Sequence, residues 1–106
     1  MRVLFDQGAP VPLRQSLTQH QVFTAYERGW SKLKNGELLD VAETEGFEVL
    51  ITTDLNLRYQ QNLQSRRIAI VALSSPSWLR IQRAIQMVVR AVDGASPGSY
   101  IEVEIP

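Results

Sequence analysis

The chain has 106 residues, no cysteine, one histidine and a formal net charge of zero, as expected for a single domain with one hydrophobic core. The lack of cysteine excludes disulfides and thiolate sites, and a lone His20 disfavours zinc, so a metal site would need oxygen ligands, which suit Mg²⁺, Mn²⁺ or Ca²⁺. No apolar run approaches the roughly 18 residues of a membrane span, and the apolar run within residues 1–6 is too short for a signal peptide. We therefore expect a cytoplasmic protein without membrane contact.

The charges are distributed unevenly along the chain. Residues 1–54 carry eight acidic and five basic side chains, whereas residues 55–92 carry six arginines and no acid. The arginines are Arg58, Arg66, Arg67, Arg80, Arg83 and Arg90. Nucleic-acid binding would explain this asymmetry, and so would solvated helix faces.

The start of the chain predicts a buried strand that ends in an acid. Residues 2–5 form a short apolar run before Asp6, and Gly8 and Pro10 predict a turn behind it. The strand therefore carries Asp6 to its carboxyl end. The next predicted elements are a short helix, a second strand and a helical turn, over residues 12–17, 20–25 and 26–33.

The next helix has recognisable ends. Asn35 is a candidate N-cap, Glu37 falls in the first turn, and Gly46 supplies the C-terminal stop. Residues 48–52 then predict a buried strand, which carries Asp54 to its carboxyl end.

The second half begins with a predicted helix over residues 57–64 and an interior strand over residues 67–73. After a turn at residues 94–98, residues 100–105 alternate apolar and acidic side chains. This alternation is typical of a half-exposed strand, and we expect it at an edge of the sheet.

The longest predicted helix lies between these strands. Ser75 is its expected N-cap and Pro76 its expected first residue. Its apolar stripe consists of Trp78, Ile81, Ile85, Val88 and Val92. The stripe could serve either the core or a homodimer contact, and so could the edge strand.

Strands and helices thus alternate along the whole chain, and two strands are apolar on both faces. This pattern predicts a mainly parallel sheet covered by helices on both sides. We therefore expect one α/β domain over residues 1–106, built as a three-layer sandwich.

Three acids could meet at one edge of this sheet. Ligands of open parallel sheets bind at the carboxyl ends of the strands, where Asp6, Asp54 and the first-turn Glu37 are expected. Like charges raise one another's pKa, and a Mg²⁺ or Mn²⁺ ion would relieve that conflict. Alternatively, Glu37 complements the helix dipole, and the two aspartates form turns.

Two other α/β classes do not fit. A response-regulator receiver with Asp54 as phosphoacceptor needs two acids after the first strand and a lysine near a late strand. In this chain Asp6 is followed by Gln7, and the only lysines are Lys32 and Lys34. A dinucleotide fold needs a glycine-rich first turn, and Gly8 stands alone.

Three motifs carry a resemblance to a known family. The stretches "LFDQGAP", "NGELLDVAE" and "VLITTDLNLRYQQNL" resemble the PIN-like proteins, small bacterial relatives of the PIN-domain ribonucleases that serve as toxins in toxin–antitoxin pairs. The match covers about residues 1–73, and the third motif is the most specific. Residues 74–106, the long helix and the last strand, carry no motif of the family.

The resemblance implies an acidic pocket that binds Mg²⁺ or Mn²⁺ and cuts single-stranded RNA. Asp6, Glu37 and Asp54 take the positions of its catalytic and metal-binding acids. Asn56 stands where such sites usually have a further metal-binding acid, and relatives often show an acid at Gln7 or Asn35. An amide keeps the oxygen ligand but loses its charge, so we expect weaker metal binding than in a four-carboxylate site.

Substrate contacts are expected close to the third motif. Arg58, Arg66 and Arg67 could pair with backbone phosphates, Tyr59 could stack on a base or pack in the core, and Gln60 could line the cleft. His20, in or before a strand, is expected to be structural.

The resulting hypothesis is a metal-dependent ribonuclease, the toxin of a toxin–antitoxin pair, with an antitoxin that covers the acidic cleft. The competing hypothesis is a binding or regulatory module on the same fold whose site has lost too much charge to be active.

Overall fold

The computed structural model describes residues 1–60 and 62–106, and over these residues it contains one five-stranded sheet. The strands are Arg2–Phe5 (β1), Gln21–Thr24 (β2), Val49–Thr52 (β3), Ala69–Leu73 (β4) and Tyr100–Val103 (β5). The α-helices are Asn35–Thr44 (α1), Leu57–Gln60 (α2), Trp78–Arg83 (α3) and Ile85–Asp93 (α4), and Val11–Ser16 form a 3-10 helix.

The sheet has the order β2-β1-β3-β4-β5, and every neighbouring pair is parallel. This confirms the predicted α/β class and the edge position of β5. Strand β2 lies on one side of β1, and β3, the next strand along the chain, lies on the other side. The carboxyl ends of β1 and β3 therefore flank a topological switch point, where parallel sheets open a crevice.

The period-two alternation of the buried strands supplies a core on each face of the sheet. Val3, Ile51 and Val71 face one core, together with the 3-10 helix, α3 and α4. Leu4, Leu50 and Ile70 face the other core, together with α1 and α2. Helices thus cover both faces, and this arrangement is compatible with a three-layer sandwich.

The long helix expected after Ser75 consists of two helices. Its N-cap is Ser77, whose hydroxyl accepts a hydrogen bond from the Arg80 N–H at 3.3 Å, while Ser75 Oγ accepts from the Ser77 N–H. Ala84 has φ −111° and ψ 24° and interrupts the helix where its small side chain is only 7% exposed in the core. Ile81, Val88 and Val92 are fully buried, so the apolar stripe serves the core.

Other elements differ from the expected ones in their bounds. Lys34 takes the N-cap position of α1, and Asn35 is its first residue, whereas Gly46 ends it as expected, with φ +80°. Residues 26–33 form hydrogen-bonded turns where a helical turn was expected. The helix predicted over residues 57–64 is formed by Leu57–Gln60, whereas residues 62–64 are not helical. The prediction also includes residue 61, which lies outside the described residues.

No helix within the described ranges is long and apolar enough to cross a bilayer.

Two glycines with a positive φ angle, Gly29 and Gly98, test the packing of the turn before β5. A Cβ at Gly98, where φ is +75°, would lie 2.9 Å from the Arg66 carbonyl oxygen, whereas a Cβ at Gly29, where φ is +78°, meets no described atom within 4 Å. We expect Gly29→Ala to lower the free energy of unfolding by about 1 kcal/mol and Gly98→Ala by roughly 2 to 4 kcal/mol, because the second adds a steric clash. Urea denaturation measures both losses, and equal losses would contradict the close packing at Gly98.

Candidate functional site

Asp6 and Asp54 lie at the switch point, directly beyond the carboxyl ends of β1 and β3. They border a cleft of about 240 Å³. Other residues of its lining include Gln7, Gly8, Trp30, Asn35 and Thr53. The structure thus brings together two of the three acids that the sequence predicts.

Thr52 connects the two aspartates. This last residue of β3 is 1% exposed. Its hydroxyl donates a hydrogen bond to Asp6 Oδ2 and accepts one from the backbone N–H of Asp54 at 3.0 Å. A β-branched residue suits the strand, and its hydroxyl also serves the site.

The surroundings of the Asp6 carboxyl disfavour its charged form. Burial raises its pKa above the ordinary value, and the negative charge of Asp54 raises it further. Hydrogen bonds from Thr52 and from the backbone N–H of Gly8, which lies 3.0 Å from Asp6 Oδ1, oppose this rise but do not cancel it. A raised carboxyl pKa in a cleft is typical of functional sites.

Asp54 is held by donors on both of its oxygens. Asp54 Oδ1 accepts from the backbone N–H of Asn56, and Oδ2 accepts from Asn35 Nδ2, both at 3.0 Å. Asn35 Nδ2 also donates to Gln60 Oε1 at 3.1 Å. Asn35 and Gln60 therefore belong to the site, whereas Asn56 contributes its backbone and has an exposed side chain.

Glu37 is not part of this acidic pair. Its carboxylate accepts the backbone N–H of Lys34 at 3.5 Å, which is the role of a helix-capping acid. Within the part of the chain that the structure describes, no three His, Asp or Glu residues are grouped to hold a metal ion. The expected three-acid cluster is therefore reduced to the Asp6–Asp54 pair.

This pair still suits a hard divalent cation. Each of the four carboxylate oxygens accepts one hydrogen bond from a described donor, so each retains acceptor capacity. Among the described residues, no lysine or arginine lines the cleft. Mg²⁺ commonly binds through one or two carboxylates and keeps several waters, so the donor chemistry of Asp6 and Asp54 fits such an ion.

Arg66 and Arg67 lie at the opposite edge of the sheet. The parallel crossover from β3 to β4 must return the chain to the amino edge before Ala69. There Arg66 pairs with Asp40 at 2.6 Å and Glu43 at 2.8 Å, and the Arg67 N–H donates to Glu43. The expectation that these two arginines flank the acids is therefore corrected.

Arg58 and Tyr59 bind each other on the short helix α2. The Arg58 guanidinium donates to the Tyr59 hydroxyl at 2.6 Å and lies 4.8 Å from the centre of the Tyr59 ring. It also lies 5.4 Å from the Tyr100 ring on β5. This pair is directed toward the edge strand, while Gln60, the next residue, accepts from Asn35, which also binds Asp54.

His20 lies just before β2, at the amino edge. Its Nε2 is 2.6 Å from Asp93 Oδ1, and its Nδ1 is 3.2 Å from the Met1 amine. These contacts connect three segments of the fold, in keeping with the structural role expected for His20.

Gly8 and Trp30 are site residues that sequence reasoning did not single out as such. A Cβ on Gly8 would lie 2.0 Å from Thr53 Oγ1, so glycine permits the close approach of the two loops. The available signal for Gly8 was its position two residues after Asp6. Nothing in the sequence pattern indicates Trp30, since only the folded turn brings it to the cleft.

Searches against protein-family models, curated proteins and solved structures find no match to this chain. The interpretation of the cleft therefore rests on its own geometry.

The raised pKa of Asp6 has a measurable consequence for stability. The folded state holds the Asp6 proton more tightly than the unfolded state does. The contribution of Asp6 to the free energy of unfolding is therefore fully present below the ordinary pKa of 3.8, and it is lost as the pH rises through the pKa of the folded state. We expect Asp6→Asn to increase the free energy of unfolding at pH 7 and to lose this advantage at pH 3.5, as measured by urea denaturation.

Asp40→Asn is the matched control, because Asp40 pairs with Arg66 and its loss relieves no repulsion. It should leave stability at pH 7 unchanged or slightly lower. Destabilisation by Asp6→Asn at pH 7 would show that the hydrogen bonds outweigh burial and repulsion.

Proposed function

We propose that this protein is a Mg²⁺- or Mn²⁺-dependent ribonuclease of the PIN-like class that cuts single-stranded RNA in the cytoplasm. The observation that carries the proposal is the pair Asp6 and Asp54, joined through Thr52 at the switch point of a parallel sheet. Two carboxylates without a described cation in their cleft favour the binding of a divalent ion.

The fold supports the family assignment within this proposal. The residues that carry the PIN-like resemblance include the acids after β1 and β3, and the parallel order puts these acids at one edge. The position of the cleft follows the general rule for ligand sites of open α/β sheets.

In this proposal, each residue of the site has a distinct role. Asp6 and Asp54 would hold the ion, Thr52 keeps Asp6 oriented toward Asp54, and Asn35 orients Asp54 through its amide. A bound Mg²⁺ or Mn²⁺ supplies Lewis-acid chemistry, because it lowers the pKa of water and stabilises charge on a scissile phosphate. Glu37 caps the N-terminus of α1, whose first residue is Asn35.

Manganese titration tests the ion site directly. We expect the wild-type protein to bind Mn²⁺ and Asp54→Asn to bind it at least about 10-fold more weakly, because a charged ligand is lost. Glu37→Gln is the matched control and should retain the wild-type affinity, since Glu37 stands apart from the pair. Isothermal titration calorimetry measures all three, and cleavage of a labelled single-stranded RNA should follow the same order. Equal Mn²⁺ affinity of wild type and Asp54→Asn, with the RNA intact, would refute the ribonuclease proposal.

The proposal extends to the role of toxin. A free ribonuclease would harm its own cell, so we expect an antitoxin protein that covers the cleft and is encoded by a small neighbouring reading frame. Expression of the chain alone should arrest growth, and Asp6→Asn should relieve the arrest by removing one of the two carboxylates. Growth curves with matched protein levels measure this effect, and arrest that persists in Asp6→Asn would contradict the toxin role.

One observation favours the alternative of an inactive binding or regulatory module. The Asn35 amide donates to Asp54, and amides stand at Gln7 and Asn56, so the cleft carries less negative charge than a four-acid site. In that case the wild-type protein binds no Mn²⁺ and leaves RNA intact.

A further inference from the structure

A second cleft adjoins the acidic one on the side of β2. Its volume is about 480 Å³, and it shares Asp6, Gln7 and Ala25 with the first cleft. Its other walls include Val11, Arg14 and Tyr26. The two clefts therefore adjoin at these three residues, and the second cleft is hereafter called the Tyr26 groove.

Tyr26 is placed at this groove by the pairing of β2 with β1. Thr24 is the register partner of Phe5, and the Ala25 N–H donates to the Phe5 carbonyl at 2.8 Å. Tyr26 follows directly and is 79% exposed. An aromatic ring this exposed contributes little to the core, and it lines the same cleft as Asp6, where a ligand can reach it.

The turn that carries Tyr26 is held rigidly. The Thr24 N–H donates to Glu27 Oε1 at 2.9 Å, and the Glu27 N–H donates back to Thr24 Oγ1 at 3.0 Å. Glu27 also forms an ion pair with Arg14, which lowers the pKa of the Glu27 carboxyl. A ring on a preorganised turn loses little conformational freedom when it binds a ligand.

We infer that the Tyr26 groove holds an unpaired nucleobase stacked on the Tyr26 ring, so that the adjoining backbone lies over Asp6 and Asp54. This inference rests on the proposed function and names the part of the substrate that the site recognises. Stacking on an exposed aromatic ring is a common mode of binding single strands, and it accepts any base.

The chemistry of the walls favours a base over a phosphate. Arg14 is the cation of this cleft among the described residues, and Glu27 already neutralises it. Val11 and Ala9 supply apolar surface, and the Gln7 amide offers both a donor and an acceptor on the shared wall. A neutral, planar ring with polar edges suits such a surface, and the volume is within the usual range of small-molecule pockets.

Tyr59, the aromatic residue that the sequence suggested for stacking, is a natural control. It is 73% exposed, similar to Tyr26, but its hydroxyl is bound by Arg58 on the side of β5. Neither cleft beside Asp6 includes Tyr59 in its described lining.

The test measures binding without cleavage. A fluorescein-labelled single-stranded RNA of mixed sequence is titrated with protein in EDTA and followed by fluorescence polarisation. We expect Tyr26→Ala to weaken binding about 5-fold to 150-fold, the range for loss of one stacked base, and Tyr26→Trp to retain it. Tyr59→Ala should bind like wild type, and the same RNA in a duplex should bind more weakly, because its bases are already stacked.

Several results would overturn the inference. They are wild-type affinity in Tyr26→Ala, equal losses in Tyr26→Ala and Tyr59→Ala, equal binding of duplex and single strand, or no binding by the wild-type protein. Thermal melts check that Tyr26→Ala is folded, as expected for an exposed side chain.

This experiment separates the groove from the ribonuclease proposal. Tyr26-dependent binding in EDTA, with no cleavage after Mn²⁺ is added, supports the groove and counts against the nuclease. Mn²⁺-dependent cleavage that is unchanged in Tyr26→Ala supports the nuclease and overturns the groove.

Discussion

The parallel direction of the strands is the constraint on which the rest of this structure depends. Residues that follow a strand lie at the carboxyl edge of the sheet, and residues that precede one lie at the amino edge. Asp6 and Asp54 follow β1 and β3 and therefore meet, whereas Arg66 and Arg67 precede β4 and lie at the far edge. Burial of β3 and β4 on both faces keeps this arrangement in place.

The acids of this chain differ in how their charge is balanced. Burial raises the pKa of the Glu43 carboxyl, but hydrogen bonds from Arg66 and from two backbone N–H groups outweigh it, so the pKa is lowered. The hydrogen bond from Arg14 lowers the pKa of Glu27. Among the described carboxylic acids with a clear shift, Asp6 is the one whose pKa is raised, because no arginine pairs with it to offset the effect of burial. Charge left unbalanced at a cleft distinguishes a candidate site from a structural ion pair.

Three of the six arginines in residues 55–92 make separate contacts within the fold. Arg66 is bound by two acids of α1, Arg58 stacks with tyrosines near β5, and Arg80 donates to the Pro106 carbonyl at 3.1 Å. The charge asymmetry of the sequence is therefore divided among separate structural contacts. In our proposal, RNA recognition depends more on the two adjoining clefts, one lined by Asp54 and the other by Tyr26, than on a basic patch.

Sequence reasoning was sufficient where the information is local. Short apolar runs determined β1, β3 and β4 and the placement of Asp6 and Asp54, because a strand defines which residue follows its end. Helix ends were less secure. Gly46 was identified because glycine readily adopts the left-handed conformation that ends a helix, but no local signal predicted the break at the buried Ala84.

Tertiary structure decided which side chains share the cleft. Glu37 is near Asp54 in the expected topology, yet its carboxylate caps α1, while Asn35 and Gln60 reach the acid. The sequence by itself determined that acids stand at the carboxyl edge of a parallel sheet. Only the folded chain placed Tyr26 on the same cleft as Asp6, because that placement depends on the register between β1 and β2, which are separated by a 3-10 helix and turns.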